Sequence, residues 1–357
     1  MGRTLRGLMV GAGYFAPIQL TAWRDVSGAE IVGLVGHRDP QRVATVAREA
    51  GVGWSGVDLD AAIELLQPDF LDICTPPASH GELVRRAVAG GVPVLCQKPL
   101  APTVTEAADL AKFAERHRVP LVVNENWRWQ PWYREAKRLI DAGVIGRPFH
   151  TTMRMRPGDG WGENPYPDQP YFATMSRLVL FETGVHYVDT ARFLFGEIEQ
   201  VQCVTATVNP AVAGEDLVVA VLHTTHGGIV VYDADRAAVA ETVRSLAYGT
   251  MSVEGTEGTL QVADDGRMTL LHRDGRVVEH DYHIPPGWKG GCAVAAQQNF
   301  VDALNGAAIA ETPAAEYVRT MRVVEACYLS AAHSRAVRLW PQRSWAGVLG
   351  PADERPM

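Results

Sequence analysis

Three stretches of the chain carry residue types whose spacing could do chemistry. Gly11-x-Gly13-x-x-Ala16 follows the apolar run Leu8-Met9-Val10 and precedes a segment of helical pattern. A glycine at the first position permits a tight turn, and one at the third lets the backbone approach a pyrophosphate. A small residue at the sixth lets the helix pack on the strand. N–H groups at the helix start then face the phosphates, with Tyr14 and Phe15 completing the loop. A tight turn without a ligand would use the same glycines, so the strand–loop–helix context carries the weight.

Gln97-Lys98-Pro99 closes the run Val92-Pro93-Val94-Leu95-Cys96. The chain holds four lysines against twenty-nine arginines. A lysine amid so many arginines is informative, because an amine changes protonation state and a guanidinium does not. A surface lysine in a turn before proline would look the same. The third stretch, Asn126-Trp127-Arg128-Trp129-Gln130-Pro131-Trp132, offers indole faces for the C–H side of a sugar and polar groups for hydroxyls. A tryptophan-rich domain junction explains it equally well.

The elements that must position these residues alternate. Strands are expected at Leu8–Val10, Ile31–Val35, Phe70–Cys74, Val92–Cys96 and Leu121–Val123, with helical periodicity between them. Ser79 can cap one helix, and Thr103-Val104-Thr105-Glu106 has capping-box spacing before another. Such alternation implies a Rossmann-type doubly wound α/β sheet, largely parallel, over residues 1–125. The second strand ends Gly36-His37-Arg38-Asp39-Pro40. The acid that would bond ribose hydroxyls is missing at His37, and Arg38 could pair with a 2′-phosphate, which leans the reading of NAD(P) towards NADP. Asp39 could equally be a helix cap. Residues 126–340 read as a second, α+β domain with an open, mostly antiparallel sheet, strands near 198–209, 216–224, 228–235, 244–254, 258–263, 267–273 and 276–282, and helices at 293–305 and 315–336. Residues 341–357 form a tail.

Taken in order, Gly11-x-Gly13, Thr75-Pro76-Pro77-x-x-His80, Gln97-Lys98-Pro99, Asn126-x-Arg128 and Gly143-Val144-Ile145-Gly146 resemble the glucose-fructose oxidoreductase / inositol dehydrogenase / MocA family, from about residue 5 to residue 336. The family's usual Glu-Lys-Pro reads Gln97-Lys98-Pro99 here. The resemblance implies dinucleotide contacts from Gly11, Gly13, Tyr14, Phe15, His37, Arg38, Thr75, Pro76, Pro77, His80, Gln97, Lys98 and Asn126. It also implies a catalytic helix of the pattern Asp-x-Gly-x-His-x-x-Asp, which appears as Glu182-Thr183-Gly184-Val185-His186-Tyr187-Val188-Asp189. Offsets of four and seven place Glu182, His186 and Asp189 on one helical face, and Gly184 leaves room for something to lie close. A buried histidine satisfied by Asp189 is the structural alternative.

The activity implied is NAD(P)-dependent oxidation of a sugar or polyol CH–OH, with His186 taking the hydroxyl proton, Lys98 polarising the oxygen and Glu182 orienting the pair. Substrate contacts are expected from Lys98, Asn126, Arg128, Trp129, Arg156, Gln169, Tyr171, Glu182 and His186. The Gln97-Lys98, Asn-Trp-Arg-Trp-Gln and Gln169-Pro170-Tyr171 stretches are similar to a branch of pentose and aldose dehydrogenases that includes D-apiose dehydrogenase. A reductase or cofactor-recycling oxidoreductase is the related alternative, and a non-catalytic nucleotide-binding regulator the distant one. The sheet of the second domain would bury its free face in a homodimer or homotetramer.

The remaining composition excludes other classes. A net charge of −8 offers no positive surface for nucleic acid or an anionic membrane. No run of about 18 apolar residues occurs. Five cysteines without a CxxC pair suit a reducing compartment, so the chain reads as cytoplasmic. His223-x-x-His226 and His280-x-x-His283 fall in expected strands, where residues three apart face opposite ways, so no metal is expected.

Overall fold

The computed structural model describes residues 3–36, 39–240, 245–339 and 349–351. They form two compact units, Met1–Trp129 with Pro286–Arg319, and Gln130–Pro285 with Thr320–Met357.

The first unit is a six-stranded parallel sheet: β1 (Leu5–Val10), β2 (Ala29–Val35), β3 (Ser55–Gly56), β4 (Phe70–Ile73), β5 (Val94–Gln97) and β6 (Leu121–Asn124), in the order β3-β2-β1-β4-β5-β6. Five strands were expected; the two-residue edge strand β3 is too short to leave a periodic signal. Helices α1 (Ala16–Trp23), α2 (Pro40–Ala50), α3 (Leu59–Leu66), α4 (Pro77–Ala89) and α5 (Val104–His117) connect them. Their ends follow local chemistry. Asp39 caps α2 by accepting from the N–H groups of Gln41 and Arg42, and Thr103 caps α5 through the N–H of Glu106. Ser79 does not cap α4; Pro76 holds that position, and the Ser79 hydroxyl bonds Thr75 and Pro76 instead.

The domain boundary differs from expectation. The sequence pattern places Pro286–Arg319 in the second domain, yet its helix Cys292–Leu304 belongs with the nucleotide sheet. Phe300 meets Phe70 edge-on at 5.4 Å, and Phe70 packs on Trp23 at 5.1 Å. Thr312 then bonds both backbone groups of Val123, covering the otherwise open edge of β6.

The second unit is a ten-stranded sheet of β7 (Pro148–Met155), β8 (Ile198–Ala206), β9 (Leu217–Thr224), β10 (Ile229–Asp235), β11 (Thr250–Gly255), β12 (Gly258–Val262), β13 (Met268–His272), β14 (Val277–His280), β15 (Val337–Leu339) and β16 (Leu349–Pro351). Its order is β14-β13-β12-β11-β7-β10-β9-β8-β15-β16, antiparallel except where β10 meets β7. One face alternates buried residues, as with Val218, Ala220 and Leu222 of β9, and takes the helices α6 (Pro131–Asp141) and α7 (Val185–Phe195). Tyr187 of α7 stacks on Tyr232 of β10 at 4.6 Å. No helix among the described residues is long and apolar enough to cross a membrane.

Candidate active site

The strand order of the first unit reverses between β1 and β4, and doubly wound sheets bind ligands outside the carboxyl ends of strands at such a point. Gly11 follows β1 there with φ +120°, and a Cβ on it would stand 2.2 Å from the Cys74 carbonyl oxygen beyond β4. No side chain fits that gap. A Cβ on Gly13 would meet nothing within 4 Å, so its exposed backbone lies open to a ligand. Helix α1 begins just beyond with no side-chain cap; the Ala16 N–H bonds the Gly13 carbonyl and Pro17 has none, so the exposed loop backbone around Gly13, rather than the first helical turn, faces an anion. These observations fit a dinucleotide pyrophosphate. Tyr14 is half exposed, while Phe15 leans edge-on against Trp288 at 5.2 Å. Arg42, which the sequence reading passed over, donates from Nε to the Ala12 carbonyl at 2.8 Å and braces the glycine loop from α2. His37 and Arg38 lie outside the described residues.

Two more loops stand at the same edge. Thr75-Pro76-Pro77 leads from β4 into α4, and Lys98-Pro99 follows β5 through a cis peptide bond. His80 joins them. Its Nε2 is 2.7 Å from the Thr75 carbonyl oxygen, and its Nδ1 is 3.1 and 3.2 Å from those of Pro99 and Leu100. Burial pushes its pKa below the ordinary 6.5 although the carbonyls pull upward. With no exposed surface and both nitrogens engaged, His80 positions the loops rather than touching a ligand, which corrects the expected cofactor contact. Gln97 Oε1 accepts from the Lys98 N–H at 2.8 Å, so the residue that replaces glutamate organises the lysine's backbone. Lys98 itself is half-buried. Gln97 and Asn124 are neighbours in register at the ends of β5 and β6, and Asn126 follows, buried. The one-turn helix Trp127–Trp129 buries Trp127, and Arg128 donates to the Glu311 carbonyl at 3.2 Å.

In the second unit, Glu182 and His186 sit where two helical forms meet. Val179–Gly184 is a π-helical turn, and regular α-helix begins at Val185. The expected single α-helical face is therefore corrected: a wider turn sets the angle between Glu182 and His186, a feature common at functional sites. Glu215 starts that turn by accepting from the N–H groups of Leu178 and Leu180 at 3.1 and 3.0 Å and from the Tyr328 hydroxyl at 2.6 Å. The Thr183 hydroxyl donates to Glu182 Oε2 at 2.6 Å. His186 is 5% exposed and Asp189 fully buried; Asp189 Oδ1 accepts from Thr320, whose hydroxyl takes an N–H of Arg192. The room expected at Gly184 is filled by the protein itself, since a Cβ there would stand 3.2 Å from the Tyr232 ring.

Other expected contacts fall elsewhere. Arg156 engages four of its five N–H groups on the Met155 and Asp233 carbonyls and on both carboxylate oxygens of Asp233, each of the last at 2.7 Å. Asp233 alternates with Tyr232, which faces α7, so this ion pair lies on the opposite face of the sheet. Arg156 is thereby removed from the substrate contacts of His186. Gln169 and Tyr171 bond each other at 2.7 Å on the exposed loop. Trp132 is fully buried and serves as core. His280 is bound to Glu135 at 2.5 Å, and this contact, after the Arg138 ion pair, holds the Glu135 carboxyl down at about 2.

The geometry of the first unit is that of a dinucleotide-binding oxidoreductase. Residues 5–125 match the family described as oxidoreductase family, NAD-binding Rossmann fold, and residues 133–261 match the GFO/IDH/MocA C-terminal domain. The chain belongs to this family. It is 34% identical to the D-apiose dehydrogenase of Paraburkholderia graminis over 345 residues, covering 94% of this chain and 90% of that one. A D-apiose dehydrogenase from Rhizobium rhizogenes is 31% identical, with 93% and 97% covered. Among solved structures, an oxidoreductase from Agrobacterium radiobacter in complex with NAD+, L-tartaric acid and magnesium matches with a TM-score of 0.87 at 31% identity, covering 94% of this chain and 98% of that one.

Proposed function

We propose that the protein is an NAD(P)-dependent dehydrogenase that oxidises a CH–OH group of a sugar or polyol, with D-apiose and related pentoses first among its substrates. The observation that carries this reading is Lys98 at the carboxyl end of β5, on the same sheet edge as the open glycine loop, in a chain whose similar proteins include D-apiose dehydrogenases. When bound, the nicotinamide supplies the hydride acceptor. His186 takes the hydroxyl proton, Lys98 donates to the same oxygen, and Glu182 orients the pair. Oxidation at an anomeric carbon yields a lactone; elsewhere it yields a ketone.

For the cofactor, the reading leans to NADP. Arg38 follows β2 in sequence, and Arg42 adds a second, exposed guanidinium beside the glycine loop. For assembly, the reading is a homodimer or homotetramer through the outer face of the ten-stranded sheet. Val204 and Val219 are direct cross-strand neighbours there and are 65% and 38% exposed.

Absorbance at 340 nm, over a panel of pentoses, hexoses and polyols with NAD and NADP in turn, tests the activity. Turnover of a pentose with either cofactor is expected. Tight cofactor binding with no turnover of any sugar would instead leave the non-catalytic regulator standing, and a strong preference for NAD would remove the lean to NADP.

A further inference from the structure

Arg236 follows β10 on the face that carries Tyr232 and Ala234, and it is 2% exposed. Its Nε donates to Asp159 Oδ1 at 3.0 Å, and Nη2 donates to Asp159 Oδ2 and, at 3.2 Å, to the Tyr248 hydroxyl. Nη1 donates to the Thr183 hydroxyl at 3.2 Å. The guanidinium lies 4.8 Å from the Tyr166 ring centre and 5.0 Å from that of Phe172. Asp159, Tyr166 and Phe172 all belong to the Pro-, Gly- and aromatic-rich stretch after β7, so one buried cation gathers that loop and the turn bearing Glu182.

We propose that Arg236 is a positioning residue for the reaction, holding the Glu182 carboxylate through the hydroxyl of Thr183 while it pins the aromatic loop. The argument rests on donor and acceptor inventory. A guanidinium has no lone pair to offer, so Thr183 can only accept from Arg236. Its own proton is then left for another acceptor, and Glu182 Oε2 stands 2.6 Å away. The relay runs one way, from cation to hydroxyl to carboxylate, and it favours the ionised form of Glu182. Thr183 is 3% exposed, so water does not compete for the hydroxyl. The titratable groups around this relay are Asp159, Tyr248, Tyr166, Tyr232 and Glu215; burial keeps Tyr232 and Tyr166 protonated.

The inference rests on Glu182 serving the reaction, and its test separates the two. Thr183→Val keeps the shape and removes the hydroxyl; Thr183→Ser keeps the hydroxyl. With the sugar oxidised best in the panel above, kcat of Thr183→Val is expected to fall about 10- to 100-fold, as for a misplaced catalytic group. The Kd of the cofactor should stay unchanged and the KM of the sugar should stay within about threefold, so that the loss falls on kcat. Thr183→Ser should recover kcat to within about threefold. Wild-type kcat in Thr183→Val beside a slow Glu182→Gln would overturn the relay alone. Equal losses in Thr183→Val and Thr183→Ser would also overturn it, by assigning the effect to packing. Wild-type kcat in Glu182→Gln would overturn the underlying role of Glu182.

Discussion

The imidazole of His80 stands 2.7 Å from the carbonyl oxygen of Thr75, closing one cofactor-edge loop upon itself while its other nitrogen reaches the loop after Lys98. Two strand ends that never pair directly through their loops are thus held by one buried ring. A neutral imidazole carries one N–H, so replacing His80 by Ala removes the donor of one loop and leaves a cavity beside three buried carbonyl oxygens. Unmade hydrogen bonds of this kind cost about 1–3 kcal/mol each, less whatever water recovers. The variant is expected to lose about 2–4 kcal/mol in urea unfolding, to bind cofactor more weakly and to turn over more slowly. Unchanged stability would show that the loops do not depend on the ring.

Gly11 and Gly13 should separate under substitution. Gly11→Ala forces a Cβ against the Cys74 carbonyl at positive φ and should destabilise the fold by about 2 kcal/mol or more. Gly13→Val meets only open space, so its melting temperature should match the wild type while the cofactor Kd rises at least about tenfold, or ~1.4 kcal/mol. Nucleotide fluorescence titration and thermal unfolding of both proteins decide; tight binding by Gly13→Val would remove the loop from the cofactor site.

Asp72 lies fully buried in β4 and accepts from Gln19 Nε2 at 2.9 and 3.1 Å and from the Trp23 indole at 2.6 Å. Burial raises its pKa from 3.8 to about 6, outweighing both donors. A carboxyl raised on folding contributes stability below its unfolded value and loses it as pH rises through the folded one. The window is therefore about pH 4 to 6, and the shift is worth roughly 3 kcal/mol. Asp72→Asn should abolish that dependence, so the variant gains on the wild type as pH rises from 4 to 7. Parallel urea-unfolding curves across this range would contradict the assignment.

Lys98→Met removes a donor to the reacting oxygen and should lower kcat about 100- to 1,000-fold, with cofactor Kd little changed. Lys98→Arg should not rescue it, because the guanidinium is bulkier and keeps its proton. His186→Asn should be comparably slow and lose the low-pH limb of the rate profile. Steady-state kinetics beside cofactor titration reads all three. Near-normal kcat in Lys98→Met would return that lysine to a turn residue before Pro99.

Asp233→Asn breaks the charge of the Arg156 pair on the outer sheet face. Partly buried bidentate pairs of this kind contribute about 1 kcal/mol, so a modest fall in stability is expected. KM for the sugar should stay within about twofold, because Arg156 lies away from α7. A tenfold rise in KM would restore Arg156 to the substrate contacts.

What the amino-acid sequence determined alone is what local pattern can carry. Strands alternate with capped helices from Leu5 to Asn124, Gly11 and Gly13 stand in the first turn, and Lys98 closes a strand; each depends on neighbours within a few residues. The mostly antiparallel second sheet was legible for the same reason. What only the tertiary structure decided depends on partners far along the chain. Phe300 joins Phe70 and Trp23, so Pro286–Arg319 belongs to the nucleotide unit despite the long insertion between them. Glu215, thirty-odd positions beyond Leu180, caps the turn that reorients Glu182, and no helical offset could reveal a π turn set by such a distant carboxylate. His80 and Arg156 read as ligand contacts by type and place. Burial against carbonyls and the partner on the opposite sheet face are properties of packing, and packing fixed their roles.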